Sequence, residues 1–150
     1  MLTRTTESLI EQSLLYPGGF LSPLEIDEAV ARALAEDLGR AGDVTSTATI
    51  PVGTPARAVM VARRPGTIAG LPLAAACIRR LSPDIAIEPR ARDGESVAAG
   101  AVLMQINGEA RAVLGAERVA LNFVGHLSGI ATATNAFVRK VSGKIGRAHV

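Results

Sequence analysis

Arg118 and Asn122 lie four residues apart in the run Ala116-Glu117-Arg118-Val119-Ala120-Leu121-Asn122-Phe123. Around them, Val113, Ala116, Ala120, Phe123 and Leu127 recur at the spacing of one buried helical stripe. A second stripe carries Arg111, Gly115, Arg118, Asn122 and His126. That face is polar and basic, with a glycine where another group can come close. A guanidinium on a rigid helix presents parallel N–H donors that match a planar carboxylate or a phosphate. The same spacing also describes a solvated helix face, and the residues alone leave both readings open.

Other reactive side chains offer less. Cys77 is the only cysteine, so no intrachain disulfide can form. It sits in the apolar patch Leu73-Ala74-Ala75-Ala76-Cys77-Ile78, with no basic neighbour to form a thiolate, and reads as a buried structural thiol. His126 and His149 make no metal-binding spacing with it. His126 reads as a surface residue. Glu36, Asp37 and Asp43 could touch a metal, but Asp43-Val44-Thr45-Ser46 is better suited to satisfying backbone amides in an ordered loop. No metal site and no catalytic residue is expected within this chain. The glycine-spaced run from Asp93 to Ala110 resembles the hairpins of biotinyl- and lipoyl-carrier domains. Those carriers need a lysine at a hairpin tip, and the first lysine here is Lys140.

At 150 residues, 48% hydrophobic and 20% charged, the chain can bury a core. Its formal net charge of +2 falls to 0 once Lys144 and Arg147 are set aside (2 − 2). Aromatics are 3% of the chain and no basic run is interleaved with them, so the stacking platforms of a nucleic-acid binder are missing. No stretch reaches the ~20 apolar residues that cross a bilayer, and no signal-peptide core is present. Neither a nucleic acid nor a membrane is expected as partner, and the cytoplasm is the expected location.

The elements that must position Arg118 follow an α/β order. Residues 1–22 are weakly patterned around Pro17-Gly18-Gly19 and read as a loose arm. Ser22-Pro23 offers an N-cap and a first-turn proline for a helix burying Ile26, Val30, Leu34 and Leu38, with Gly39 as its stop. Strands are expected over 56–63, 67–69, 85–91 and 101–106, a helix over 71–81, and a plain connection over 94–100. From Glu109 the pattern is helical, with Gly129 expected to bend it between one helix ending near Leu127 and another running from Ser128 to Val141. That region should leave some of Ile130, Phe137 and Val138 exposed.

The string "AERVALNF…HLSGIAT" from Ala116 to Thr132 resembles quinolinate phosphoribosyltransferase, the nicotinate-nucleotide pyrophosphorylase (carboxylating) family. Glu36-Asp37-Leu38-Gly39 and Gly42-Asp43-Val44-Thr45-Ser46 resemble its "EDLG…GDVTS" signature, and Ala69-Gly70 and Asp93-Gly94 follow in order. The resemblance spans residues 24 to 143. It implies an α+β fold: a hammerhead-like α/β sandwich over 23–110, then helices over 111–143 leading into a truncated (β/α) barrel. It implies that quinolinate and 5-phosphoribosyl-1-pyrophosphate give nicotinate mononucleotide, pyrophosphate and CO2 for NAD biosynthesis, with magnesium on the pyrophosphate. It gives Arg118 the role of a quinolinate-binding residue reaching into the neighbouring subunit of a homodimer, with Glu117 and Asn122 as structural supports. The alternatives are a related phosphoribosyltransferase with another acceptor, such as the homologue associated with molybdenum transport, or a non-catalytic binding module. Residues 144–150 are expected to be non-native, because Ile145–Val150 is what a common sequencing adapter encodes in one frame. A fragment without the barrel is expected to be inactive alone.

Overall fold

In the computed structural model, which describes residues 22–142, the chain opens with helix α1, Pro23–Leu38. Ser22 caps it reciprocally: its Oγ accepts from Leu24 N at 3.3 Å, and its own N–H donates to Glu25 Oε2 at 3.0 Å. Ile26, Val30 and Leu34, spaced by four, turn inward. Gly39, at φ 55°, ends the helix. The expected arm, apart from Ser22, and the expected tail over 144–150 lie outside the described residues.

The expected loop over Asp43–Ser46 is instead the start of a short helix, α2, Val44–Thr49. Three threonines, a valine and a serine make it a poor helix former by composition. Its stability comes from both ends. Asp43 Oδ1 accepts from Ser46 N at 2.9 Å, and Arg111 holds the carbonyls at the other end.

Strand β1, Pro55–Val61, pairs antiparallel with β5, Val102–Glu109, with a bulge at Met60/Val61. β5 also pairs antiparallel with β3, Ala86–Pro89, giving the order β1-β5-β3. A separate two-stranded ribbon joins β2, Gly66–Thr67, to β4, Ser96–Val97. β4 falls where the sequence suggested a plain connection. A two-residue strand is too short to show alternation, so pairing with β2 alone defines it. Strand ends lie one to three residues from their expected places.

Helix α3, Leu71–Leu81, and helix α4, Ala110–Val141, close the core. Leu71, Ala74 and Cys77 of α3 and Ala116 of α4 have no exposed surface at all, and Ala120 has 1%. Small residues on both helices let them approach closely. The sheet adds Met60, Met104, Ile106 and Ile87, and α1 adds its inward stripe. The mixed α+β character is as the sequence implied.

The expected bend at Gly129 is absent. α4 is one helix of 32 residues, about 48 Å long at 1.5 Å per residue. Hydroxyls explain why it runs straight through. Ser128 Oγ accepts from Ala69 N at 3.0 Å and donates to Ala69 O at 3.2 Å. One turn on, Thr132 Oγ1 accepts from Thr67 N at 2.8 Å and donates to Thr67 O at 3.4 Å. Asn135 Nδ2 then donates to Thr67 Oγ1 at 2.8 Å. Three side chains thus hold α4 to the extended 67–69 segment on both sides of Gly129.

Candidate functional site

The polar stripe of α4 divides into two parts with different jobs. Its first turn is structural. The Arg111 guanidinium donates from Nε to Ile50 O at 2.8 Å and from Nη2 to Thr47 O at 3.0 Å, satisfying carbonyls at the end of α2. Gly115 is buried, and a side chain there would press on Leu81. The "GDVTS" motif and the start of α4 therefore form one brace. Asp43 caps α2 and Arg111 clasps its end.

The second part faces a cleft of about 380 Å³ between α4 and the last turns of α1. Its floor is apolar, from Ala33, Val119, Phe123 and Leu127, and its rim carries Glu36, Asp37, Arg118, Asn122 and His126. Arg118 Nη1 pairs with Asp37 Oδ1 at 3.1 Å. The two ends of this pair differ in exposure: the Arg118 side chain is 85% exposed and that of Asp37 only 18%. The guanidinium is tethered on its inner side and open to the outside. A larger hollow, about 960 Å³, lies on the open face of the three-stranded sheet beside Arg57, Val59, Gln105 and Asn107, remote from this group.

Charge decides what the cleft can hold. Arg118 contributes one positive charge against two negative ones from Glu36 and Asp37, so a dianion seated inside the cleft meets net repulsion. Arg118 can clamp a dicarboxylate only outward, on the side away from Asp37.

Other sequence-selected residues fall into place around it. Cys77 is buried, and burial pushes its thiol up to about 11, as a structural rather than nucleophilic cysteine requires. His126 is exposed at the rim. Glu117 and Asn122, expected as supports, are both exposed, so the fold does not lean on them; Asn122 lines the rim. Sequence reasoning missed Asp37 as the partner of Arg118. The pair is 81 residues apart in sequence, and no local spacing could have joined them. It also missed Asp93, whose carboxylate accepts from Gly70 N at 2.7 Å and Leu71 N at 3.1 Å and so caps α3. Burial pushes the Asp93 carboxyl upward against the pull of these two donors. Among the described residues no group of three or more His, Cys, Asp or Glu could hold a metal ion. Asp37 and Asp43 are engaged by Arg118 and Ser46, so these residues do not fit a magnesium site.

A family model for "Quinolinate phosphoribosyl transferase, N-terminal domain" matches residues 43–128. The chain belongs to the quinolinate phosphoribosyltransferase family. It is 41% identical over 128 residues to a nicotinate-nucleotide pyrophosphorylase (carboxylating) of Mycobacterium leprae, covering 82% of this chain and 45% of the relative. It is 34% identical over 131 residues to a quinolinate phosphoribosyltransferase (decarboxylating) of Nicotiana tabacum, covering 87% of this chain and 37% of the relative. A crystal structure of NadC from Streptococcus pyogenes superposes with a TM-score of 0.76 at 31% identity, over 81% of this chain and 44% of that one. The chain thus spans less than half the length of these family members. Among the described residues no helix is long and apolar enough to cross a membrane.

Proposed function

We propose that this chain is the N-terminal part of an enzyme that transfers the phosphoribosyl group of 5-phosphoribosyl-1-pyrophosphate to quinolinate. The quinolinate ring nitrogen bonds to the ribose anomeric carbon as pyrophosphate leaves, and loss of one carboxylate as CO2 gives nicotinate mononucleotide, a step toward NAD. The names of the relatives support the substrates and the decarboxylation. The contribution of this chain is positioning. An anionic acceptor must be held beside an anionic donor, and arginines lower the cost of that approach.

The observation that carries the reading is the outward-facing guanidinium of Arg118 on a helix locked into the core. The family resemblance implies that Arg118 serves a quinolinate site in the neighbouring subunit of a homodimer, and its exposed guanidinium supports that reading. Magnesium enters only with the pyrophosphate of the co-substrate. A cytoplasmic location is part of the same proposal; several plant relatives are named as chloroplastic or mitochondrial.

The test is an assay of pyrophosphate release with quinolinate, nicotinate and other pyridine carboxylates, using the chain extended to the length of its relatives. Quinolinate-dependent release is expected, and none from residues 1–150 alone. Preference for another acceptor would replace this reading with that of a related phosphoribosyltransferase.

A further inference from the structure

Asp37 occupies a place where local physics disfavours it. It lies in the last turn of α1, at the negative end of the helix dipole, and that turn has no basic residue. Its side chain is also largely withdrawn from water, which penalises a carboxylate. An acid kept at such a place, against both terms, points to a task beyond stabilising its own helix. Among the described residues its ion pair is with Arg118, Nη1 to Oδ1 at 3.1 Å.

We propose that Asp37 is a positioning residue for the acceptor-binding arginine: it fixes Arg118 so that the free edge of the guanidinium faces outward toward the substrate carboxylate. The proposal rests on the assignment of Arg118 to quinolinate binding made above. An arginine side chain has several rotatable bonds, and an exposed one is spread over many rotamers. Ordering it on substrate binding weakens the observed affinity. A half-buried carboxylate that already holds Nη1 leaves the Nε–Nη2 edge to meet a planar carboxylate with two parallel donors. Withdrawn behind the guanidinium, Asp37 repels the incoming dianion less than an exposed acid would.

The experiment is a double-mutant cycle on the full-length enzyme: Asp37→Asn, Arg118→Ala and both together, with KM for quinolinate, kcat and Tm measured for each. Asp37→Asn is expected to raise KM about three- to tenfold, the range set by partial loss of arginine ordering. It should leave kcat within about twofold and Tm unchanged or slightly higher, since the dipole conflict is relieved. In the Arg118→Ala background the same change should leave KM where it was, because its effect runs through the guanidinium. If Arg118→Ala raises KM while Asp37→Asn leaves it unchanged or lowers it, positioning is overturned and quinolinate binding by Arg118 stands. A drop in Tm with no KM effect would show a merely structural pair. An Asp37→Asn effect that persists without Arg118 would also overturn the proposal. If Arg118→Ala leaves KM unchanged, the underlying assignment fails.

Discussion

At the scale of single residues, most of the polar chemistry here serves the backbone. Arg111, Asp43, Asp93, Ser128 and Thr132 all satisfy main-chain groups. Arg118 is the cation turned outward from the cleft, and its replacement should show it. In the full-length enzyme Arg118→Ala is expected to raise KM for quinolinate about ten- to a hundredfold, because hydrogen bonds to charged groups contribute roughly 1.5–3 kcal/mol. Folding should hold, since the Arg118 side chain is largely exposed and its ion pair with Asp37 is the kind that contributes about 0–1 kcal/mol. Arg118→Lys should rescue poorly, as a point charge lacks the guanidinium fork. Asp43 gives a pH signature. Bonds from the Ser46 hydroxyl and amide hold its carboxyl below the usual carboxylate range. With the folded pKa below the unfolded one, its stabilisation is present above that range and is lost as pH falls through it. Asp93 is shifted upward by burial, so its contribution runs the other way. Comparing wild type with Asp43→Asn cancels Asp93. The difference in Tm should be largest near neutral pH and shrink as the solution is acidified, and a difference independent of pH would contradict this. The exposed position of Arg118 on the polar face of α4 and the burial of Cys77 were legible in the sequence, because helical spacing and apolar context are local. Asp37 and Asp93 were not, because each takes its role from a partner brought near only by folding.

At the scale of elements, hydrophobic periodicity located α1, α3 and the buried stripe of α4. A period of three to four residues, sustained over several turns, fits a helix and not a strand. Periodicity failed at α2 and at Gly129, where side-chain hydrogen bonds from distant residues override local propensity. Gly129 has open space beyond its Cα and lies inside a regular helix. Gly129→Ala should therefore stabilise the chain by about 0.5–1 kcal/mol. Ser128→Ala should cost about 1–3 kcal/mol, because it leaves the amide and carbonyl of Ala69 without their partner. Urea unfolding of both variants checks the pair. Destabilisation by Gly129→Ala would mean that the bend expected from sequence is sampled after all.

At the scale of the whole molecule, α4 joins the core to the surface that association would use. Its first half is built into the core, and its last turns expose Ile130 (53%), Phe137 (69%), Val138 (52%) and Val141 (53%), as the sequence led one to expect for the first three. Clustered apolar side chains on one helix favour association. Residues 1–150 alone should sediment as concentration-dependent oligomers, and a sharp monomer at all concentrations would count against this. In the proposed enzyme the chain lends Arg118 to a quinolinate site in a neighbouring subunit. The most direct measurement of that loan mixes full-length Arg118→Ala protein with a second variant disabled only in its C-terminal part, after subunit exchange is confirmed. Each heterodimer then has one site with neither lesion, so activity well above that of either variant alone is expected. Heterodimers that form yet remain as inactive as their parents would contradict the shared site and return Arg118 to its own subunit.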